Sequence, residues 1–158
     1  MSLTFAQVYG KIREKFPDAV EAVVECPGDP YIVLKRDSLL AVCGWLKTDP
    51  EMQFDLLSCV SGTDDKTNFW TVYHLTSIPK IQRAVLKVKL DRAEPSVPSL
   101  VPLYKAADWH ERETYDMYGI KFDDHPDLRR ILLPEDWVGF PLRKDYEFPD
   151  EYQGIPLK

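Results

Sequence analysis

The residue types that could do chemistry are concentrated between positions 110 and 130 of this chain. His110 and His125 are the kinds of side chain that act as general acid and base when a carboxylate lies beside them. With Glu113 and Asp123 they also make a set of metal-ligand types. A spacing of three places His110 and Glu113 on one helix face, but nothing in the sequence fixes His125 near them. A free-standing enzyme and a metal site are therefore alternatives without a closed motif, because the chain has no H-E-x-x-H pair, nucleophile elbow or phosphate-binding glycine loop.

The three cysteines indicate that this chain holds no redox cluster of its own. Cys26, Cys43 and Cys59 are separated by 17 and 16 residues, and no C-x-x-C pair occurs. An iron–sulfur cluster usually takes four thiolates, some of them closely spaced. We therefore expect the cysteines to be reduced thiols, buried as small apolar side chains.

Length and charge narrow the class of protein. The chain has 158 residues, of which 44% are hydrophobic, and this fits one globular domain. Its net charge of −6 argues against a nucleic-acid-binding protein, which normally carries a basic patch. Apolar runs fall far short of the roughly 20 residues that span a bilayer, and the N-terminus lacks the pattern of a signal peptide. We therefore expect a cytoplasmic protein that meets a membrane only through another protein.

Hydrophobic periodicity predicts a two-layer α+β domain over residues 1–120, in which helices pack on a mixed β-sheet. A capping box of Thr4 and Gln7 opens the first helix. Asp37 is expected to cap the second helix, and Ser99 a third that ends at Gly119. The predicted elements are a helix over 1–16, strands over 19–26 and 31–34, a helix with its core face at Leu39, Val42, Cys43 and Leu46, strands over 54–60, 68–76 and 83–91, and a helix over 99–119.

The last part of the chain, residues 121–158, has a different composition. It holds five prolines and fifteen charged residues and has no helical or strand period, so it cannot bury enough apolar surface to fold by itself. The pattern predicts an extended Pro-rich C-terminal arm that lies on the surface of another protein. A tail that wraps its own domain or stays disordered is the alternative. Apolar anchors are spaced through the segment at Ile131, Leu132, Leu133, Trp137, Phe140 and Leu142.

Three motifs follow one another in the C-terminal third of the chain. They are ERETYDMYGI at 111–120, HPDLRRILLP at 125–134 and GFPLRKDY at 139–146. Together they resemble the signature of the 30 kDa subunit of respiratory complex I, which in bacteria is the C subunit of NADH-quinone oxidoreductase. The chain departs from the family pattern after Tyr146, where two further residues precede Pro149.

The resemblance implies a non-catalytic structural subunit in the peripheral arm of a proton-pumping NADH:quinone oxidoreductase. Such a protein clamps the large quinone-site subunit and also lies near cluster-bearing subunits. It carries no flavin, cluster or metal itself; flavin, iron–sulfur clusters and quinone are expected in the partner subunits. The implied location is peripheral, on the cytoplasmic side of the inner (plasma) membrane. An equivalent subunit of a membrane-bound hydrogenase or of another quinone-reducing dehydrogenase complex, and a soluble adaptor unrelated to respiration, are alternatives.

The resemblance also implies which residues meet the partner. Glu111, Arg112, Glu113 and Asp116 are expected on a charged helix surface at or beside the interface, where Arg112 and Asp116 have the spacing of a helix-supporting ion pair. Prolines in the arm would lower the entropy cost of ordering it. The expected docking residues of the arm are His125, Pro126, Asp127, Arg129, Arg130, Ile131, Leu132, Gly139, Pro141, Leu142, Arg143, Lys144 and Asp145.

Overall fold

A computed structural model describes residues 3–157 of the chain. None of the helices in this range combines the length and the apolar composition that a bilayer crossing requires. The elements in chain order are α1 (Phe5–Lys15), β1 (Val20–Val24), β2 (Tyr31–Leu34), a short 3-10 helix (Arg36–Ser38), α2 (Leu39–Thr48), β3 (Leu56–Asp64), β4 (Asn68–Ser77), β5 (Gln82–Asp91), β6 (Ser96–Pro98), α3 (Ala107–Tyr118), β7 (Lys121–Asp123), β8 (Glu151–Tyr152) and β9 (Ile155–Pro156).

A five-stranded sheet in the order β1-β2-β5-β4-β3 forms the centre of the molecule. Neighbouring strands are antiparallel except β2 and β5, which run parallel. The apolar faces of α1 and α2 bury Val8, Ile12 and Leu46 against sheet residues such as Leu86 and Tyr73. The predicted two-layer α+β domain with a mixed sheet is therefore confirmed.

The start of α1 shows why this part of the fold is readable from the sequence. The Thr4 hydroxyl accepts the Gln7 backbone N–H, and the Gln7 side chain accepts the Thr4 backbone N–H at 2.9 Å. This reciprocal capping box satisfies two donors that the first helical turn leaves free. The sequence predicts this helix from Met1 onward, but Met1 and Ser2 lie outside the described residues.

The prediction that Ser99 caps a helix is wrong. Residues 99–106 form turns, and α3 begins at Ala107. The Ser99 hydroxyl donates to the Glu111 carboxylate at 2.7 Å, and the Leu100 backbone N–H donates to the same carboxylate at 2.7 Å. Because Glu111 takes up these groups, the serine ties the turns to α3 from the side and does not begin the helix.

Residues 121–157, called the C-terminal segment below, contain three short strands that the sequence did not indicate. The first, β7, pairs in parallel with β6, so that Val97 lies beside Phe122. Phe122 is 3% exposed and belongs to the hydrophobic core. The rest of the segment runs along α3 and the end of β3, an arrangement that corresponds to the tail wrapping its own domain. The division of the chain at residue 120 stays a prediction.

Candidate interaction surface

Asp116 is the centre of the contact between α3 and the C-terminal segment. Its side chain is fully buried, and one carboxylate oxygen accepts the backbone N–H groups of Ile131, Leu132 and Leu133 at 3.1, 2.7 and 2.9 Å. The other oxygen accepts the Arg130 guanidinium at 2.7 Å. Burial alone would raise the pKa of Asp116, but these donors outweigh it and hold the pKa below its usual range. The carboxylate therefore stays charged and fixes the course of three consecutive residues.

Arg130 extends this contact along the segment. The same guanidinium donates to the carbonyl oxygens of Trp137 at 2.9 Å and Gly139 at 3.0 Å. It also lies 5.3 Å from the centre of the Phe140 ring, a cation–π distance. A planar fork with five N–H donors suits such simultaneous contacts, so one side chain joins α3 to residues 137–140.

Arg112 holds the segment at its other end. Its guanidinium donates to the carbonyl oxygens of Arg129 at 3.3 Å and Arg130 at 3.2 Å, and it lies 5.5 Å from the Trp109 ring. The helix-supporting ion pair expected between Arg112 and Asp116 does not form, because Asp116 turns toward Arg130. The sequence showed the correct spacing but could not show that both side chains have partners in the segment.

Arg143 is stacked between two aromatic rings. Its guanidinium lies 4.9 Å from the Phe69 ring of β4 and 4.6 Å from the Phe140 ring, and its Nε donates to the Tyr118 carbonyl oxygen at 2.6 Å. Burial lowers the pKa of Arg143. Gly119, at φ 72°, ends α3 and leaves room for this stack, since a Cβ there would lie 2.5 Å from an Arg143 nitrogen.

Asp64 and Arg92 complete the contact, and sequence reasoning missed both. Asp64 ends β3 with its side chain fully buried, pairs with Arg92, and accepts the Lys144 backbone N–H at 2.8 Å. Arg92 also pairs with Asp145 at 2.8 Å and lies 4.5 Å from the Phe69 ring. Despite burial, the Lys144 backbone N–H and the Arg92 guanidinium help hold the pKa of Asp64 below its usual range. Asp64 lies in a stretch whose composition indicates a hairpin loop, and Arg92 follows the last strand, so neither position carried a signal.

A second buried cluster surrounds Glu111 and His125. The Glu111 carboxylate is fully buried, and burial raises its pKa to about 7. The His125 ring is also buried, and its Nδ1 accepts the Asp127 backbone N–H at 3.0 Å. Its Nε2 lies 3.2 Å from the Asp108 carbonyl oxygen and 3.9 Å from the Glu111 carboxylate. Both ring nitrogens therefore have internal partners, which leaves none directed at a substrate.

His110 is not part of this cluster in any contact that residues 3–157 form. Within the same range, no group of three or more His, Cys, Asp and Glu side chains could hold a metal ion. The geometry therefore gives no support to the alternatives of an acid–base pair or a metal site built on His110.

The predicted interface residues fall into three classes of exposure. Contact with a partner is untested for all of them and stays a prediction. In this chain Glu111, Arg112 and Asp116 are buried; His125, Arg130, Ile131, Gly139, Pro141 and Arg143 are partly buried; and Glu113, Pro126, Asp127, Arg129, Leu132, Leu142, Lys144 and Asp145 are exposed. The predicted surface is thus divided between residues that brace the segment and residues that it presents outward.

Comparison with known proteins gives one consistent family. Residues 32–152 match the family described as "Respiratory-chain NADH dehydrogenase, 30 Kd subunit". The NADH-quinone oxidoreductase C subunit of Roseiflexus sp. is 44% identical, with 92% of this chain and 85% of the relative covered. The same protein of Chlorobium phaeobacteroides is 42% identical over 94% of this chain and 92% of the relative. That of Chloroherpeton thalassium is 40% identical over 94% of this chain but only 63% of the longer relative.

Two solved structures share the fold. A trypsin-resistant fragment of Nqo5 superposes with a TM-score of 0.67 at 28% identity, and the match covers 78% of this chain and 98% of the fragment. A chain of the archaeal membrane-bound sulfane sulfur reductase superposes with a TM-score of 0.74 over 90% of this chain and 85% of that chain. The identity in that second case is 22%, so it supports the fold alone.

Proposed function

This chain belongs to the family of the respiratory-chain NADH dehydrogenase 30 kDa subunit, and on that premise we propose that it is a non-catalytic structural subunit of an NADH:quinone oxidoreductase complex. In this proposal, α3 and the C-terminal segment dock against the large subunit that forms the quinone site. Flavin, iron–sulfur clusters and quinone are held by partner subunits. The chain reaches the membrane only through those partners.

The observation that carries the proposal is the distribution of exposed apolar side chains. Of the eleven large hydrophobic residues that are exposed among those described, seven lie between positions 109 and 157, in less than a third of the chain. Exposed apolar groups that cluster beside polar ones are a mark of protein–protein contact sites. The seven are Trp109, Leu132, Val138, Leu142, Phe148, Ile155 and Leu157.

These apolar side chains are presented by a backbone that is already fixed. The N–H of Leu132 binds Asp116, and the N–H of Leu142 binds the Met117 carbonyl oxygen at 3.1 Å. The carbonyl oxygens on either side of Val138 both accept from Arg130. A surface that is ordered before it binds loses less conformational entropy on association. The charged brace therefore serves docking by holding the apolar side chains in place.

A free-standing enzyme fits the geometry less well. Both nitrogens of His125 contact backbone groups of the chain itself, and Glu111 is fully buried beneath Ser99 and Leu100. A general base must reach a proton of the substrate, and neither group is placed to do so.

The proposal is tested by tagging this chain, solubilising host membranes with detergent, and quantifying the co-purified subunits by mass spectrometry. The variant Leu132→Asp changes a side chain that is 63% exposed in the proposed surface. Its matched control, Ile78→Asp, changes one that is 62% exposed in the turn between β4 and β5. We expect Leu132→Asp to reduce recovery of the quinone-site subunit about tenfold, because a charge buried in an interface is costly, whereas Ile78→Asp leaves recovery unchanged. Equal recovery with both variants, or purification of the wild-type chain alone, would refute the proposal.

A further inference from the structure

The face of the five-stranded sheet that points away from the helices carries an unusual set of side chains. On β5, Ala84, Leu86, Val88 and Leu90 are buried in the core, so the alternate positions point to the opposite side. The α3 helix lies on the core side, because a Cβ at Gly62 of β3 would meet Tyr118 and Thr114. The outward set, called the basic sheet face below, consists of Arg83, Val85, Lys87 and Lys89 of β5, Tyr31 and Val33 of β2, and Trp70, Val72 and His74 of β4.

The strand register brings these residues into adjacent rows. Lys87 lies between Val33 on β2 and Val72 on β4, and Lys89 lies beside Trp70. Cross-strand neighbours of this kind have Cβ atoms about 5 Å apart. The two valines are only 5% and 7% exposed. The face is therefore a shallow apolar floor with cationic ends standing on it.

The charge of this face is opposite to that of the chain as a whole. The protein has 26 acidic and 20 basic residues, yet three outward positions of β5 are cationic and the one acidic position on that side, Asp91, lies at the strand end. None of Arg83, Lys87 and Lys89 forms an ion pair with any residue between 3 and 157. Lys87 instead lies 3.6 Å from the centre of the Tyr31 ring.

Two shallow concavities flank the cations. One, of about 420 Å³, is lined by residues that include Tyr31, Trp70 and Lys87. The other, also about 420 Å³, includes His74 and Arg83. The Nδ1 atom of His74 is buried and has no hydrogen-bond partner in the described part of the chain. Aromatic side chains with polar edges are enriched at protein interfaces, and an unsatisfied buried nitrogen gains from a partner group.

We propose that the basic sheet face docks an acidic surface of a second protein subunit of the same complex. Unpaired cations on an otherwise acidic protein attract carboxylates of a partner and favour it over neutral or basic surfaces. Carboxylates of the partner pair with Arg83, Lys87 and Lys89, while Trp70 and Tyr31 pack against its apolar groups. The inference rests on the proposed membership in a complex but not on the docking role of the C-terminal segment, which lies elsewhere on the molecule.

The test uses the complex purified through a tag on this chain and treats it with a water-soluble carbodiimide, which joins a lysine amine directly to a nearby carboxylate. Peptide mass spectrometry then identifies the joined residues. In a parallel sample, acetylation rates of each lysine are compared between the complex and the free chain. We expect Lys87 or Lys89 to be joined to an Asp or Glu of another subunit, and their acetylation to be about fivefold slower in the complex because an interface excludes the reagent.

A charge-reversed variant separates docking from folding. Lys87→Glu/Lys89→Glu is expected to abolish the cross-link and to lower the occupancy of the joined subunit, while circular dichroism and thermal unfolding of the free chain stay unchanged, since neither side chain has an ion pair to lose. The matched control is Lys15→Glu/Lys105→Glu, which reverses two exposed lysines away from the sheet and is expected to leave the cross-link intact.

The outcomes distinguish this inference from the proposed function. Full acetylation of Lys87 and Lys89 in the complex, with Lys144 of the C-terminal segment protected, would overturn the sheet-face inference and leave the proposed function standing. Protection of Lys87 and Lys89 without any cross-link to a carboxylate would also overturn it, because the partner would not be acidic. Protection of none of these lysines, or recovery of the chain alone, would overturn both.

Discussion

The five-stranded sheet with α1 and α2 is held by apolar contacts, whereas the C-terminal segment is joined to α3 mainly by charged groups that meet backbone atoms. Residues from both helices and all the long strands contribute to the hydrophobic core. In the C-terminal segment, Phe122 is the one buried hydrophobic residue among those described. The segment depends instead on Asp116, Asp64, Arg130 and Arg143, which bind carbonyl oxygens, N–H groups and aromatic rings.

This difference fits the two tasks in the proposed function. Apolar burial is non-directional and roughly proportional to area, so it gives a stable core with little demand on individual contacts. Hydrogen bonds to charged groups are directional, and leaving one partner unsatisfied is costly. A segment built in this way can hold a defined course while its own apolar side chains stay available for another protein.

Phe69 belongs to both regions, and removing it has the largest expected effect. Its ring is fully buried in the core and lies between the guanidinium groups of Arg92 and Arg143. We expect Phe69→Ala to lower the free energy of unfolding by about 3–5 kcal/mol, because it leaves a cavity and removes two cation–π contacts. Denaturant unfolding of the purified chain measures this change. Phe69→Leu keeps most of the apolar volume and is the control; an equal loss for both variants would show that the ring contacts contribute most of the effect.

Asp116→Ala tests whether the charged brace is a separate unit of stability. The change leaves three N–H groups and the Arg130 guanidinium without their common acceptor. We expect the amides of residues 131–133 to lose about 3 kcal/mol of protection against hydrogen exchange, while amides of β4 and β5 keep theirs. Asp116→Asn retains an acceptor but no charge and is expected to lose less. If the sheet amides lose protection equally, the two regions unfold together and are not separate units.

The sequence predicts the apolar region far better than the charged one. The capping box at Thr4 and the alternation along β5 are local signals, because helix capping and strand pleating involve residues close in sequence. The contacts of Arg130 with the carbonyl oxygens of Trp137 and Gly139 are different in kind. Every residue offers a carbonyl oxygen, so no residue type marks which carbonyl will be bound.

The same reasoning explains the errors and omissions. Ser99 has the residue type of a helix cap, but its hydroxyl donates to Glu111, twelve residues away. Asp64 lies in a stretch whose composition indicates a hairpin loop, and its partner Lys144 is eighty residues distant in the chain. For the candidate surface, the family motifs marked the correct stretch of chain, but not which of its charged residues face inward.

Glu111 and Asp116 lie on the same helix and should respond to pH in opposite directions. Burial raises the pKa of Glu111 from 4.5 to about 7, so the folded state binds this proton more tightly than the unfolded state does. The corresponding stability is present below the unfolded pKa and is lost as the pH rises through about 7. The pKa of Asp116 is lowered, so its contribution is present above the unfolded pKa and is lost as the pH falls.

The variant Glu111→Gln isolates the first of these effects. The amide can accept the Leu100 N–H and donate to the Ser99 hydroxyl, but it never becomes charged. We expect it to raise the free energy of unfolding by about 2 kcal/mol near pH 8, and to change it little near pH 4.5. Denaturant unfolding at both pH values measures the difference. A loss of stability at the higher pH would mean that Glu111 is held by its charge, as Asp116 is.

Arg129 and its neighbour Arg130 provide the smallest expected effect and the sharpest contrast. The Arg129 side chain is 64% exposed and pairs with Asp127, whereas the Arg130 side chain is 15% exposed and pairs with Asp116. We expect Arg129→Ala to change the free energy of unfolding by less than about 0.5 kcal/mol, as is typical of exposed pairs, and Arg130→Ala to lower it by about 2–3 kcal/mol. Only the backbone carbonyl of Arg129 contacts Arg112, and that contact survives the substitution. Under the proposed function, Arg129→Ala still reduces recovery of partner subunits from membranes. A large loss of stability in the free chain would instead make Arg129 part of the internal brace and remove it from the docking surface.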